Sequence, residues 1–351
     1  MSLPRWPPSV ASRRSAAIFL LLIRMPGDEM KIFRFSLLLL SCVVANFANA
    51  QDYPTRQIRM FIPASPGGGV DLGSRIIAAR LSETLGKPVV AENHDGAGTI
   101  LATELLAHSK PDGYTILMVT SSFAVNPAVR KMLPFDPNTD FTAVAQYAYT
   151  PDLLVVNAQS NLHSVADVIA EAKKKPGDLA FSTSGSGTLS ELEPTQLKTY
   201  AGIDMLDVPY RGGIPAVTGL MGNQTNMLFL GVVGVAPLVK AGKLRAIAAT
   251  GKSRARQFPD VPTMAESGFP DWDTGTWYGV LVPAKTPPAI VALLNKQIND
   301  ALRQPDVRTK LAKIGLEPRG GTPEQFSSLI RSDMARWQQL VLKNPQLRSE
   351  D

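Results

Sequence analysis

Between Ile58 and Leu81 an apolar run, Ile58-Arg59-Met60-Phe61-Ile62, gives way to Pro63-Ala64-Ser65-Pro66-Gly67-Gly68-Gly69-Val70-Asp71, and then to a helical pattern. Strand, glycine-rich loop and helix in that order outline an anion site. Three successive glycines carry no Cβ, so backbone N–H groups can approach a ligand closely and take up positive φ. The helix that follows, with Leu72, Ile76, Ile77, Arg80 and Leu81 marking its faces, aims its partly positive N-terminus at the same place. A carboxylate or phosphate fits such a site. The same residues also make a plain tight strand-to-helix connection, and both readings stand at this point.

Spacing excludes nucleotides. No Lys-Ser or Lys-Thr follows the glycines, as GxxxxGK[ST] requires, and Gly73 comes one residue too late to complete GxGxxG after Gly67 and Gly69. A second small-residue loop, Ser184-Gly185-Ser186-Gly187-Thr188, lies between a strand expected at 179–182 and a helix expected at 189–200. It too could be a plain turn. Two such loops facing each other would clamp an anion through N–H groups, hydroxyls and helix ends, without a buried arginine. The candidate ligand contacts are Ala64, Ser65, Pro66, Gly67, Gly68, Gly69 and Asp71 from the first loop, and Ser184, Gly185, Ser186, Gly187 and Thr188 from the second. Ser121, just past a strand at 114–119, is counted with them.

Catalysis has little to work with. Ser184 occupies the position where a GxSxG elbow needs glycine, and the only histidines, His94, His108 and His163, form neither HxxxH nor HExxH. The single cysteine, Cys42, falls in the leader described below, so no catalytic residue, metal site or cofactor is expected. A serine hydrolase acting through Ser186 remains a lesser alternative.

The elements that must position these loops follow from pattern. With 351 residues, 44% hydrophobic and 19% charged, the composition is that of a soluble globular protein of about two domains. The start differs: Lys31 and Arg34 precede an apolar stretch at 35–44 and then Ala48-Asn49-Ala50, the layout of a secretory signal peptide. Residues 1–29 read as an upstream extension, with translation starting at Met30 and the mature chain at Gln51. The apolar stretches at 16–23 and 35–44 both fall short of the roughly 18 to 20 residues a membrane span needs. Leu39-Leu40-Ser41-Cys42 is a weaker lipoprotein-like alternative. Six Lys/Arg and two Asp/Glu of the +6 chain lie in residues 1–50, which leaves 30 basic and 28 acidic side chains beyond them. That near balance argues against nucleic acid as a partner.

Beyond the leader, strands and helices alternate. Strands are expected at 58–62, 88–92, 114–119, 153–156, 179–182, 225–230, 244–249 and 277–282, the last strand of the chain. Helices are expected at 100–108, at 164–174 with Ser164 as N-cap, at 189–200 with Pro194 near its start or kinking it, and in a segment ending at Gly242. Two further helices, 289–303 and 323–342, end the chain, joined by a short segment at 316–319. Alternating βα units imply a largely parallel sheet.

The segments Pro66-Gly67-Gly68-Gly69-Val70-Asp71 with Arg75, Val89-Val90-Ala91-Glu92-Asn93 with Gly96-Ala97-Gly98, Asn126-Pro127, Leu133-Pro134-Phe135-Asp136-Pro137 and Val208-Pro209-Tyr210-Arg211-Gly212 make a recognisable series. With Pro111-Asp112-Gly113-Tyr114, the 240–246 segment and Pro259-Asp260-Val261-Pro262-Thr263, the chain resembles the periplasmic substrate-binding receptors of tripartite tricarboxylate transporters, the Bug family. The resemblance implies an α/β, two-lobed periplasmic-binding-protein fold of the Venus flytrap, type II-like kind with two interdomain crossovers, near 150–153 and 273–278. One domain would comprise residues 51–152 and 277–351, the other 153–276. It further implies a periplasmic, monomeric receptor that holds a small carboxylate between the two loops and hands it to a permease of large and small subunits. A sensory role, signalling to a membrane kinase, is the alternative. Two departures stand out: Ala64-Ser65-Pro66 where an aromatic residue and proline are common, and Glu191 where the family pattern has histidine. A carboxylate at 191 would repel an acidic ligand unless it turns away or meets a cation, which leaves amino acids, aromatic acids or a neutral relative open as ligands.

Overall fold

A computed structural model describes residues 53–348; the leader reading, with Met30, Cys42 and cleavage after Ala50, lies outside the described residues. The described chain begins with β1 (Ile58–Ile62), α1 (Gly69–Leu85), β2 (Val89–Asn93), α2 (Ile100–Ala107), β3 (Thr115–Thr120), α3 (Ser122–Val129) and β4 (Phe141–Thr150). Next come β5 (Asp152–Asn157), α4 (Val165–Lys174), β6 (Ala180–Thr183), α5 (Leu189–Ala201), β7 (Leu206–Pro209), α6 (Gly213–Met221), β8 (Met227–Gly231), α7 (Val232–Lys240) and β9 (Leu244–Ala249). The chain closes with β10 (Thr276–Pro283), α8 (Pro288–Arg303), α9 (Pro305–Lys313), β11 (Glu317–Pro318) and α10 (Pro323–Lys343).

These strands form two sheets, ordered β11-β4-β10-β3-β1-β2 and β7-β6-β8-β5-β9. Each has the same plan. Three strands joined by helices run parallel, β2-β1-β3 in one sheet and β7-β6-β8 in the other. A strand that arrives from the other sheet then lies antiparallel beside them: β10 against β3, and β5 against β8. The sheets are therefore mixed where alternation had implied a largely parallel one. A βαβ unit brings every strand back in the same direction, but a strand that starts at the junction of the two lobes must run away from it. Its neighbours end there. Only Pro151 separates β4 from β5, whereas residues 250–275 separate β9 from β10.

Burial explains the strands. Ile58, Met60 and Ile62 are fully buried, and so are Leu153 to Val156 of β5, covered on both faces. Helix ends match local chemistry: the Ser164 hydroxyl accepts from the Asp167 N–H (3.1 Å), and Gly242, just past α7, has φ +67°. Thr322 and Gln325 close a capping box on α10, which packs across β4 and α3. Trp277 of β10 meets Phe326 of that helix edge to face and donates its indole N–H to Asp333 (2.6 Å).

Several elements escape the sequence patterns. α3 carries Pro127, β4 dilutes its apolar alternation with alanine, and α9 starts at Pro305 immediately after α8. The link before α10 therefore holds a helix and a further short strand, β11, so β10 is not the last. Pro194 lies inside α5 at its sixth residue, and Tyr200, near the end of that helix, is half exposed while Leu189, Leu192 and Leu197 are buried. Among the described residues no helix is long and apolar enough to cross a membrane.

Where the chain passes between the sheets, two carboxyl groups are buried together. Asp152, the first residue of β5, accepts from Thr276 Oγ1 (3.1 Å), and its own N–H donates to Thr250 Oγ1 (2.9 Å). Glu193 of α5 accepts from Thr274 Oγ1 (2.6 Å), which in turn accepts from the Trp272 indole (3.0 Å). Burial pushes Asp152 up to about 6. Burial, and then the Asp152 charge, raise Glu193 well above its ordinary value. Carboxyls raised in the folded state hold protons that the unfolded chain releases, so stability falls as pH rises from about 4 through the folded values. Glu193→Gln removes one titrating group. Its melting temperature is expected to drop less than wild type between about pH 5 and about pH 8; parallel drops would contradict the shared burial of this pair.

Candidate functional site

The loops after β1 and β6 leave equivalent places in the two sheets, at the carboxyl ends of parallel strands, where open α/β folds bind ligands. Both are built on one device. The Gly67 N–H donates to Asp71 Oδ2 (3.0 Å), and the Gly187 N–H donates to Glu191 Oε2 (2.8 Å). In each case a carboxylate four residues on, in the first helical turn, folds back onto a loop glycine with positive φ, +88° at Gly67 and +78° at Gly187. A side chain at either position would be strained. The N-caps, Gly68 and Thr188, make no side-chain capping bond, so the helix N-termini are left for other partners.

In the first loop the Asp71 clasp is extended. Asp71 Oδ1 accepts from Arg75 Nε (2.8 Å) and Asn93 Nδ2 (2.9 Å), while Asn93 also donates to the Ala64 carbonyl (2.8 Å). Ser65 donates to Asp95 (2.5 Å). Ser65, Pro66 and Gly67 are exposed, whereas Asp71 is buried and turned into its own loop. Gly69 is already helical, and a Cβ there would sit 3.0 Å from Val233 of α7 and 3.3 Å from the Tyr278 hydroxyl. Ser121 is the buried N-cap of α3.

In the second loop the hydroxyls bond one another. Ser184 Oγ and Thr188 Oγ1 both meet Ser190 Oγ (2.7 and 2.8 Å), Thr188 Oγ1 donates to the Gly185 carbonyl (2.7 Å), and the Ser184 N–H donates to Ser190 Oγ (2.8 Å). The loop lies against the first lobe. A Cβ on Gly187 would sit 2.6 Å from Asn126 Oδ1, and one on Gly98 would sit 2.9 Å from the Ser186 carbonyl.

The two clasps differ in charge. Burial opposes ionisation of Asp71, but the Gly67 N–H, Asn93 and Arg75 outweigh it and hold the carboxyl below its usual range. Burial dominates at Glu191 and pushes it up to about 7; the Gly187 N–H pulls it down, Asp207 adds repulsion and Arg130 opposes. Sequence reasoning missed Asn93, Asn126 and Ser190 as loop organisers. The matching glycine and acid spacing in both halves was the available signal. Among the described residues no cluster of His, Cys, Asp and Glu is placed to hold a metal. Hollows of about 430 Å³, beside Arg303, Arg308 and Arg319, and about 350 Å³, beside Tyr149, Lys252 and Asp273 at the crossovers, are not lined by either loop.

The family model described as "Tripartite tricarboxylate transporter family receptor" matches residues 74–345. Protein BugT of Bordetella pertussis is 36% identical over 302 residues, 85% of this chain and 92% of BugT. Among solved structures, R. palustris Rpa4515 with adipate is 34% identical with a TM-score of 0.79, covering 83% of this chain and 97% of that one. MatC (Rpa3494) from Rhodopseudomonas palustris with bound malate is 31% identical with a TM-score of 0.75, covering 82% of this chain and 100% of that one.

The clasps make a direct prediction. Asp71→Ala removes three acceptor contacts from a buried position and is expected to destabilise the protein by on the order of 2 kcal/mol and to speed amide exchange at Gly67. Glu191→Ala is expected to do the same at Gly187. Unchanged exchange at both glycines would show that the carboxylates do not hold the loops.

Proposed function

The chain belongs to the tripartite tricarboxylate transporter family of receptors, and from that premise we propose that it captures a small carboxylate in the cleft between the β1–α1 and β6–α5 loops, for delivery to a membrane transporter of that type. The observation that carries the reading is the duplicated clasp, which presents an uncapped helix N-terminus from each lobe. The adipate and malate bound by the related Rpa4515 and MatC support a carboxylate as ligand. In this reading Ala64 to Gly69, Ser121 and residues 184–188 line the site, while Asp71 shapes it from behind. The protein acts as a periplasmic monomer, exported by its leader, and catalyses no reaction.

The lobes, 51–152 with 277–351 and 153–276, close by rotation about the two crossovers. A receptor must also release its cargo, so an affinity of about micromolar strength, roughly −8 kcal/mol, suits the task. Glu191 ties affinity to pH: its carboxyl is largely neutral below about 7 and adds a repelling charge beside the ligand above it.

A thermal-shift panel of mono-, di- and tricarboxylates and amino acids tests the reading, because a ligand stabilises as ln(1 + [L]/Kd). At least one carboxylate is expected to raise the melting temperature, and its affinity is expected to fall between about pH 6 and about pH 8, less so in Glu191→Gln. No shift from any acid in the panel would refute the reading.

A further inference from the structure

Among the described residues Arg130, at the junction of the lobes, is a cation with no ion pair and a buried, unfilled donor. It follows α3 as the C-cap, in extended backbone, and its N–H donates to the Asn126 carbonyl (2.9 Å). Its Nε is buried and makes no hydrogen bond, and no ion pair joins its guanidinium to a carboxylate among the described residues. One terminal nitrogen reaches to 4.0 Å from the point where a Cβ on Gly98 would lie. The Ser186 carbonyl of the second loop is 2.9 Å from that same point, and Asn126 Oδ1, which is also buried and unpartnered, is 3.6 Å from it. Three elements thus converge there: the turn at Gly98, the end of α3, and the second loop of the opposite lobe.

A cation at a helix C-terminus ordinarily bonds the last carbonyls or sits in water. Arg130 does neither at Nε. A planar guanidinium offers five donors in a fork that matches a carboxylate, and leaving one buried and unfilled is costly. Glu191, the carboxyl on which Arg130 acts electrostatically, already has one oxygen on the Gly187 N–H and is repelled by Asp207, and no ion pair joins the two among the described residues.

We propose that Arg130 is a specificity-determining residue of this receptor, supplying the counter-charge for a second acidic group on a ligand whose first carboxylate lies at the loops. This rests on the carboxylate-receptor reading. Arg130 acts on the number of acidic groups the ligand carries, and a Met at this position keeps much of the side chain's bulk while losing the charge.

The test is calorimetric titration of the full-length protein with straight-chain diacids from succinate to pimelate and with the monoacids of matching length. Wild type is expected to bind its best diacid about tenfold or more tightly than the matching monoacid. Arg130→Met is expected to erase that margin while leaving the monoacid unchanged, and Arg130→Lys to restore part of it. Arg130→Gln serves as a second neutral variant should Arg130→Met fold poorly. Equal losses for diacid and monoacid would mark Arg130 as a closure contact and overturn the proposal, as would a margin that survives both neutral substitutions. A wild type that binds diacids and monoacids alike overturns the proposal but leaves the receptor reading standing; a wild type that binds no carboxylate overturns both.

Discussion

The architecture of the cleft depends on a backbone N–H held by a carboxylate one helical turn ahead of it. At Gly67 and Asp71, and again at Gly187 and Glu191, this bond fixes the last residues of a loop at the moment the chain turns helical. A glycine-rich loop has the most conformational freedom to lose on ordering, so a loop without such a tether would sample many shapes. The tether removes that freedom before any ligand arrives. It also turns the acidic side chain back onto its own loop, where it becomes part of the loop's frame.

The two frames are not equivalent. Asp71 draws on Arg75 and Asn93 and stays ionised, whereas Glu191 has a single N–H partner in a drier place and keeps its proton up to about neutral pH. One lobe therefore offers a fixed electrostatic surface and the other a titrating one. The two meet across Gly98, Asn126 and Val233, where small residues and backbone leave little room.

Much of this was legible in the chain itself. The strand at Asp152–Asn157 and the Ser164 cap are local features: an apolar run, Leu153 to Val156, buried throughout in one case, a hydroxyl three residues before an N–H in the other. The loops were visible because glycine and serine between a strand and a helix have few uses. The helices at Ser122–Val129 and Pro305–Lys313 were hidden by prolines, which local rules treat as breaks although tertiary packing tolerates them here. Asp71 illustrates the other limit. Its type and position suggested a ligand contact, but the direction of its side chain is set by Asn93, on the neighbouring strand β2. Arg130 gave no signal at all, since the turn at Gly98 approaches it only through the fold.

Helix α5 runs thirteen residues from the second loop toward the crossovers, with Glu191 in its first turn and Glu193 at the buried pair with Asp152. A single helix thus has one end at the second loop and its flank at the crossovers between the lobes. A displacement of its first turn would therefore reach the surroundings of the buried Glu193 carboxyl two residues further on. On the proposed receptor reading, cargo and hydrogen ion would then act as heterotropic effectors of one another, the loading of one changing the uptake of the other.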